Sequence, residues 1–242
     1  DGNIHTIFTD HPKGIVQGLL GPISGRPLWE RHRPYPWQCR SHPDPLAVPE
    51  GLAMASRGCP NNCRMCSVPD RNSKVRRRDV EDVAGEIHWL VRHGIRSIFW
   101  YDNELVDHAS LAYFDSILVA GTLDGYPNHV CRTQGRCNVE SPEDAKLLSS
   151  LSNHGLKRVM WGVESASQKV LNAINKHLTV EAVQGSLENA ANAGIQNFVF
   201  LMSGMPEEGE KEMDETYEWA KKGRESGLIY DLQCMPCTLM KG

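Results

Sequence analysis

The chain of 242 residues contains no run of about 18 apolar residues, the minimum that a membrane-crossing helix needs. Its first five residues lack the basic stretch and the following apolar segment of a secretory signal. Positive charge is not in excess either, because the formal net charge is −4 at pH 7. The sequence therefore predicts a cytoplasmic protein with no membrane partner and no overall attraction to nucleic acid.

Cysteine, by contrast, is abundant for a chain without an export signal. The eight cysteines are Cys39, Cys59, Cys63, Cys66, Cys131, Cys137, Cys234 and Cys237. An even count allows a disulfide framework, but disulfide-dense domains are usually small and secreted. This chain is neither short nor marked for export, so we interpret the clustered cysteines as metal ligands.

The first 50 residues differ from the rest of the chain. Prolines stand at positions 12, 22, 27, 34, 36, 43, 45 and 49, and no helical or strand period is sustained there. We predict an irregular, proline-rich linker or N-terminal extension over residues 1–50. A single folded domain is predicted over residues 51–242.

From residue 51 onward, short apolar runs alternate with amphipathic segments. The predicted strands cover residues 52–56, 97–101, 129–134, 158–163, 197–202 and 228–234. The predicted helices cover residues 80–93, 109–120, 142–153, 168–175 with 180–193, and 210–226. Six such repeats predict an α/β fold with a parallel sheet, arranged as a partial (β/α)6 TIM-like barrel. In these folds the chemistry lies at the carboxyl ends of the strands.

The loop after the first predicted strand carries three cysteines with the spacing C-x3-C-x2-C: Cys59, Cys63 and Cys66. Thiolates this close in sequence, in a loop that contains Gly58 and Pro60, can converge on one metal cluster. Iron–sulfur clusters are usually held by four cysteines, so three leave one iron without a protein ligand. An open metal position is what an enzyme needs if the metal is to bind substrate.

This spacing after a first strand resembles the radical S-adenosylmethionine (SAM) superfamily. The resemblance implies a [4Fe–4S] cluster whose open iron binds SAM through its amino and carboxylate groups. One electron then splits SAM into methionine and a 5′-deoxyadenosyl radical, which abstracts hydrogen from a substrate. One departure is Met65, since the family usually has an aromatic residue before the third cysteine.

Over residues 51–240 the chain is most similar to the branch with many cobalamin-dependent enzymes and methylthiotransferase-like proteins. The SAM contacts that the resemblance implies follow the predicted strands: Asp102, Asn103, Gln134, Arg136, Glu164, Ser203 and Gly204. Arg136 would bind the SAM carboxylate through a forked contact, and Glu164 would accept hydrogen bonds from the ribose hydroxyls or the amine. Gly204 would let the backbone approach the adenine. No catalytic residue is assigned.

Each of these assignments has an alternative. Arg136 also fits a surface arginine, and Glu164 also fits an acid in the first turn of a helix. The cysteine loop also suits a structural zinc site, for which Cys39, His32 or His42 would supply the fourth ligand. The pair Cys234 and Cys237 is conceivable as a second metal or redox site, but we favour two separate cysteines.

The sequence thus predicts a radical SAM enzyme that receives electrons from a donor such as flavodoxin or ferredoxin. Radical methylation ranks first among the reactions because of the branch resemblance, and the substrate is not identified. Residues 11–14 have only part of a cobalamin motif, since Thr9 stands where an aspartate is required, so cobalamin would need a domain outside this chain. The alternatives are a non-catalytic iron–sulfur or zinc module and a nucleic-acid-modifying enzyme that uses the basic run at 71–78. That run is interpreted first as a solvated loop.

Overall fold

A computed structural model describes residues 50–66, 74–122 and 129–237 of the chain. Nearly all of the predicted N-terminal extension therefore lies outside the described residues. The same holds for Cys39, His32 and His42, the candidate fourth ligands of a zinc site.

Eight strands and six helices form the described part of the chain. The strands are β1 (Glu50–Ala53), β2 (Ser56–Arg57), β3 (Arg76–Arg77), β4 (Ser97–Trp100), β5 (Val130–Gly135), β6 (Leu156–Glu164), β7 (Gln196–Ser203) and β8 (Asp231–Pro236). The helices are α1 (Val80–Arg92), α2 (Leu111–Ala120), α3 (Pro142–Asn153), α4 (Gln168–Ala173), α5 (Val180–Asn192) and α6 (Glu210–Glu225).

The main sheet has six strands in the order β1-β4-β5-β6-β7-β8, and every neighbouring pair is parallel. Each strand pairs with the next long strand along the chain, with helices in the connections, which confirms the predicted α/β fold. The last strand begins at Asp231, three residues later than predicted. The reason is that Ile229 donates its backbone N–H to the Gly223 carbonyl and so closes the end of α6.

The helices cover one face of this sheet. Along β6 the alternating residues Val159, Trp161 and Val163 are fully buried in the main apolar core. On β4, Trp100 packs edge-on against Phe114 of α2, with ring centroids 5.3 Å apart. Burying these side chains is the main favourable contribution to the stability of the fold. The polar loops lie at the carboxyl ends of the strands.

A short ribbon of β2 and β3 was not predicted from the sequence. In it Ser56 pairs with Arg77 and Arg57 pairs with Arg76 in an antiparallel arrangement. Tyr113 of α2 donates its hydroxyl toward the carbonyls of Ala55, at 3.0 Å, and Arg78, at 2.7 Å, on either side of the ribbon. Two-residue strands carry no readable period, so the sequence offered no signal for them. The ribbon brings together the two ends of the cysteine loop.

The N-terminus of α3 supplies a first testable prediction. The Ser141 hydroxyl accepts the backbone N–H of Asp144, and the Asp144 carboxylate accepts the backbone N–H of Ser141, which is a capping box. We expect Ser141→Ala to lower the free energy of unfolding by about 1 kcal/mol, measured by urea denaturation. Ser149→Ala is the control, since this exposed serine of the same helix bonds only within it, to Ala145. An equal loss in both variants would contradict the capping role.

Candidate functional site

The cysteine loop is anchored at the carboxyl ends of the sheet strands. The backbone N–H of Gly58 donates to the side-chain oxygen of Asn103 at 3.1 Å, just after β4. Further along, the backbone N–H of Arg64 donates to the Ile174 carbonyl at 2.9 Å, beyond the end of α4. These contacts fix the loop to two different βα connections, so the loop and the strand ends form one site.

The three cysteines differ in exposure. Cys63 is buried, Cys59 is half-buried and Cys66 is exposed. The Asn61 side-chain amide donates to the Cys59 sulfur at 3.3 Å, and Nη1 of Arg136 lies 3.9 Å from the Cys63 sulfur. Such N–H groups around cysteine sulfurs are the surroundings that tune iron–sulfur clusters.

A carboxylate that the sequence analysis did not select, Glu104, lies against these cysteines. The Cys59 thiol donates to Glu104 Oε2 at 3.2 Å, and the Asn61 amide donates to the same oxygen at 2.6 Å. Burial, with the charge of Glu104 as the next cause, raises the pKa of Cys59 to about 11. Burial also raises the pKa of Glu104, and Asp107 adds to this while Arg136 opposes it. Cys59 is therefore a thiol here, and metal binding would take its proton.

Four buried charged side chains meet beside the cysteines. Lys176 Nζ lies 2.9 Å from Glu164 Oε1, and Arg136 Nε lies 3.9 Å from Glu104 Oε1. Arg136 also donates through Nη2 to the Lys176 carbonyl. The side chains are only 8–12% exposed. Two positive and two negative charges balance, as buried charges must if they are not to destabilise the fold.

The backbone of β6 is shaped around the Glu164–Lys176 pair. A Cβ atom at Gly162 would lie 2.9 Å from Glu164 Oε1 and 3.2 Å from Lys176 Nζ. The register with β7 shifts between Gly162 and Glu164, and Glu164 itself has a φ of 69°. A non-glycine residue with positive φ is uncommon and is often found at functional sites. A Cβ atom at position 162 would therefore displace the ends of these two paired side chains.

Asp102 and Asn103 lie behind the cysteine loop. The Asp102 carboxylate accepts the backbone N–H groups of Ala55, at 3.2 Å, and Ser56, and also the Ser56 hydroxyl at 2.7 Å. Burial raises the pKa of Asp102 to about 6, although these hydrogen bonds act in the opposite direction. Both residues hold the segment that leads into Cys59. Their contact with SAM remains a prediction.

Gln134 and Ser203 lie at the carboxyl ends of β5 and β7, and Gly204 follows β7 directly. The Ser203 carbonyl accepts the Cys237 N–H at 2.7 Å, and Gly204 has a φ of 78°, in the region that favours glycine. The Gly204 N–H donates to a carboxylate oxygen of Glu208, which pins the turn after β7. No hydrogen bond joins these three residues to the four buried charged side chains.

Met65 joins the cysteine loop to the end of β7. It packs with Met202 and Cys237 against a small cluster of buried residues, namely Val170, Ile174 and Met205. Met65 therefore uses its flexible apolar side chain to fill an irregular gap at the site. Cys234 on β8 is exposed, whereas Cys237, which follows β8, is half-buried. The two cysteines of this pair therefore have different surroundings.

Among residues 50–66, 74–122 and 129–237, no group of three or more His, Cys, Asp or Glu side chains is arranged to hold a single metal ion. The fourth ligands named for a zinc site, Cys39, His32 and His42, lie outside these residues, so that alternative stays a prediction. Two of the three cysteine sulfurs, those of Cys59 and Cys63, have N–H groups directed at them, as cluster ligands do.

Three side chains at the candidate site were not selected by the sequence analysis. Glu104 belongs to the same polar stretch after the second predicted strand as Asp102 and Asn103, but only those two were selected from it as SAM contacts. Asn61 lies between two of the cysteines. Lys176 is 12 residues beyond Glu164 and separated from it by α4, and no local pattern links the two.

The profile of the radical SAM superfamily matches residues 54–220, which is more than half of the chain. The chain belongs to the radical SAM superfamily. This confirms the resemblance that the cysteine spacing indicated.

Curated relatives of this radical SAM domain are larger proteins. An uncharacterized methyltransferase of Pyrococcus horikoshii is 29% identical over 177 residues, which cover 72% of this chain and 37% of the relative. An anaerobic magnesium-protoporphyrin IX monomethyl ester cyclase of Rubrivivax gelatinosus is 27% identical over 198 residues, which cover 80% of this chain and 33% of the relative. The chain thus spans only about a third of the length of these relatives.

Solved structures share the fold. The radical SAM methyltransferase TsrM of Kitasatospora setae, with cobalamin and a [4Fe–4S] cluster bound, has a TM-score of 0.67 at 17% identity. The match covers 78% of this chain and 37% of TsrM. The cobalamin-dependent radical SAM enzyme OxsB has a TM-score of 0.61 at 20% identity, over 69% of this chain and 26% of OxsB. The partial barrel predicted from the sequence is therefore confirmed. No helix in the described part of the chain is long and apolar enough to span a membrane.

Proposed function

We propose that this chain is the catalytic domain of an enzyme that reductively cleaves SAM at a [4Fe–4S] cluster held by Cys59, Cys63 and Cys66. When bound there, the cluster would supply one electron for cleavage of the SAM sulfonium to methionine and a 5′-deoxyadenosyl radical, which would abstract hydrogen from the substrate. The observation that carries the proposal is the meeting of the cysteine loop with four buried, mutually balanced charges at one sheet edge.

The residues around the cysteines fit a cluster. Asn61 and Arg136 direct N–H groups at two of the sulfurs, and Gly58 is held by Asn103 at the start of the loop. Hydrogen bonds of this kind and a positive charge nearby stabilise the anionic thiolates and the reduced cluster. Deprotonation of Cys59 would remove one of the two donors to Glu104 Oε2, and Asn61 would keep donating to that oxygen.

The four buried charges fit the groups that SAM carries, namely an ammonium, a carboxylate and a sulfonium. Glu164 and Glu104 supply negative charge for the cationic groups. Arg136 supplies a planar fork for the carboxylate, with Lys176 as a second cation next to it. Because each acid is already beside a base, the ammonium and carboxylate of SAM would exchange one set of ion pairs for another, and the sulfonium would add one positive charge.

The remaining predicted contacts have supporting roles in this proposal. Asp102 and Asn103 act by holding the cysteine loop. Gln134 and Ser203 offer hydrogen-bonding groups at the ends of β5 and β7, and Gly204 supplies backbone with no Cβ atom for close approach to the adenine.

The reaction class rests on relatives rather than on this chain's own geometry. One relative is named as a methyltransferase, one as a cyclase and others as methylthiotransferases, and two solved structures bind cobalamin. We propose radical methylation first, with cobalamin in a domain outside this chain if the enzyme uses it. The electron would come from a carrier such as flavodoxin or ferredoxin in the cytoplasm.

Anaerobic reconstitution with iron and sulfide tests the proposal. After SAM and dithionite are added, we expect 5′-deoxyadenosine to form together with methionine. A loaded cluster that yields no 5′-deoxyadenosine would favour the second candidate, a non-catalytic iron–sulfur module. Zinc in place of iron in protein purified without air would contradict both.

The role of Glu164 gives a prediction that does not depend on turnover. We expect Glu164→Gln to weaken SAM binding by about 10- to 100-fold, because a charge-assisted hydrogen bond contributes roughly 1.5–3 kcal/mol. Equilibrium dialysis of the oxidised holoprotein measures the affinity, and iron analysis checks that the cluster is retained. Glu188→Gln is the control, since this exposed residue of α5 bonds to Gln184 far from the site. Equal affinities in the Glu164 variant and the wild type would contradict the assignment.

A further inference from the structure

The face of the main sheet opposite the helices carries aromatic and sulfur-containing side chains. Side chains of a strand alternate between its two faces, so the residues between the buried core positions of β4, β6 and β7 lie on this face. Cross-strand register brings them side by side. We call the following residues the open face: Leu52, Phe99, Tyr101, Met160, Phe198 and Phe200.

The rings of the open face form two edge-to-face pairs. The ring centroids of Phe99 and Tyr101 are 5.6 Å apart, with an interplanar angle of 86°. Those of Phe198 and Phe200 are 5.2 Å apart at 64°. Leu52 and Tyr101 are 47% and 53% exposed, and contiguous exposed apolar surface marks binding sites. A flat apolar ring adds favourably to such pairs by stacking or by edge contact, so the open face favours a ligand with rings.

The open face leads directly to the cysteine loop. Met202, two residues after Phe200 on β7, packs against the same small apolar cluster as Met65 of that loop. On β6, Gly162 pairs with Phe200, and Glu164 follows two residues later. A molecule that lies on the rings of β7 therefore has one end beside the residues proposed to hold the cluster and SAM.

Arg158 supplies a positive charge near the amino end of β6. Its guanidinium lies over the Tyr230 ring, 4.7 Å from the centroid, and donates two hydrogen bonds to Gln196 Oε1, at 3.1 and 2.8 Å. These uncharged partners hold the half-buried guanidinium in place without neutralising it. None of the ion pairs found among the described residues includes Arg158.

The nearby acids have other partners. Glu50 pairs at 2.6 Å with Arg132, the neighbour of Arg158 in the sheet register. The Asp231 carboxylate accepts the N–H of Leu232 at 2.9 Å. A planar guanidinium that is fixed in position and has no acid in an ion pair with it is suited to bind an anionic group through its fork of N–H donors.

The distance between Arg158 and the cysteine site indicates the size of the ligand. Arg158 is six residues before Glu164 on β6, which is roughly 20 Å along an extended strand. Because side chains at both ends shorten this gap, a ligand that spans it is on the order of 10–15 Å long. One six-membered ring with a carboxylate is too short.

We propose that the open face binds the substrate, and that the substrate is an organic anion with two or more flat apolar rings whose negative group pairs with Arg158. This inference rests on the proposed function and deepens it by naming the substrate class. The rings would lie on Phe198 and Phe200, so the end of the molecule far from the anion would reach the cysteine loop.

Fatty acids and nucleotides also carry an anion, but the observations favour apolar rings. An acyl chain gains nothing from edge-to-face aromatic pairs. A nucleobase carries polar groups that need hydrogen bonds when they are buried, and the open face offers one hydroxyl, that of Tyr101.

The test uses 4-(1-pyrenyl)butyrate, a fused-ring carboxylate, with the reconstituted holoprotein in equilibrium dialysis. We expect a Kd on the order of 10 µM, and binding of decanoate and of adenosine monophosphate at least about tenfold weaker. Arg158→Gln is expected to weaken pyrenylbutyrate binding about tenfold and to leave binding of the neutral 4-(1-pyrenyl)butanol unchanged. Arg92→Gln, which removes an exposed charge from α1, is the control and is expected to keep the wild-type affinity.

Phe198→Leu tests the ring contact, because leucine keeps the position apolar. We expect pyrenylbutyrate to bind about three- to tenfold more weakly to this variant, with decanoate binding unchanged. Tyr217→Leu, at an exposed aromatic residue of α6, is the control. Urea denaturation checks that each variant is folded.

No binding of pyrenylbutyrate, equal affinities in Arg158→Gln and the wild type, or tighter binding of decanoate or adenosine monophosphate would each overturn this inference. Dialysis is carried out without reductant, so its result does not depend on SAM cleavage. A protein that binds pyrenylbutyrate as expected but forms no 5′-deoxyadenosine would overturn the proposed function alone. A protein that forms 5′-deoxyadenosine but does not bind pyrenylbutyrate would overturn the substrate class alone.

Discussion

Cys63→Ala is expected to abolish both cluster binding and 5′-deoxyadenosine formation. Cys63 is the buried member of the three proposed ligands, and its sulfur lies 3.9 Å from Arg136 Nη1. Its loss leaves one half-buried and one exposed thiol, which cannot hold the cluster by themselves. We expect iron content to fall to background and product formation to fall by at least about 1000-fold. Iron and sulfide analysis, the visible absorbance and product chromatography measure these effects.

Cys131→Ala is the matched control for this change. Cys131 is a buried cysteine of β5 in the apolar core, and burial raises its pKa to about 12. It is therefore an inert thiol that behaves as a small apolar side chain. We expect the variant to keep its cluster and its product. If product instead persisted in Cys63→Ala, the assignment of Cys63 as a ligand would be wrong.

Asp102→Ala is expected to have the second largest effect, on both stability and the site. Its carboxylate accepts two backbone N–H groups and a hydroxyl from Ala55 and Ser56, in a buried position next to the cysteine loop. Alanine leaves these donors without partners, and each buried unsatisfied group costs about 1–3 kcal/mol. We expect the free energy of unfolding to fall by about 3–5 kcal/mol, as measured by urea denaturation.

The same variant tests whether Asp102 organises the loop that holds the cluster. We expect cluster occupancy after reconstitution to fall together with stability. Asp214→Ala, at an exposed position of α6, is expected to change the free energy of unfolding by less than about 0.5 kcal/mol. A loss below about 1 kcal/mol for Asp102→Ala would show that the loop is held by other contacts.

The elements of the sheet were predictable because their apolar patterns are long enough to read. On β6, Val159, Trp161 and Val163 alternate with residues of the other face, and the predicted strand 158–163 lies inside Leu156–Glu164. The cysteine loop was predictable from the sequence, because its three cysteines lie within eight residues and so must share one loop. Parallel topology then followed from the alternation of strands and helices.

The site was less predictable where it depends on contacts between distant segments. The pairing of Lys176 with Glu164 requires α4 to return the chain to the end of β6, and nothing in the local sequence shows this. The Glu104 side chain points toward Cys59, whereas the Asp102 side chain points toward Ser56. Which of the two acids meets the cysteines depends on the course of the backbone after β4. The ribbon of β2 and β3 is too short for a pattern to indicate it.

The most direct measurement is electron–nuclear double resonance of the reduced holoprotein with SAM labelled isotopically at its amino nitrogen. If Cys59, Cys63 and Cys66 leave one iron open, the spectrum will show a hyperfine coupling between the cluster and the labelled nitrogen. A reduced cluster with added SAM but no such coupling would show that the open iron does not bind the cofactor, and the account of this site would be wrong.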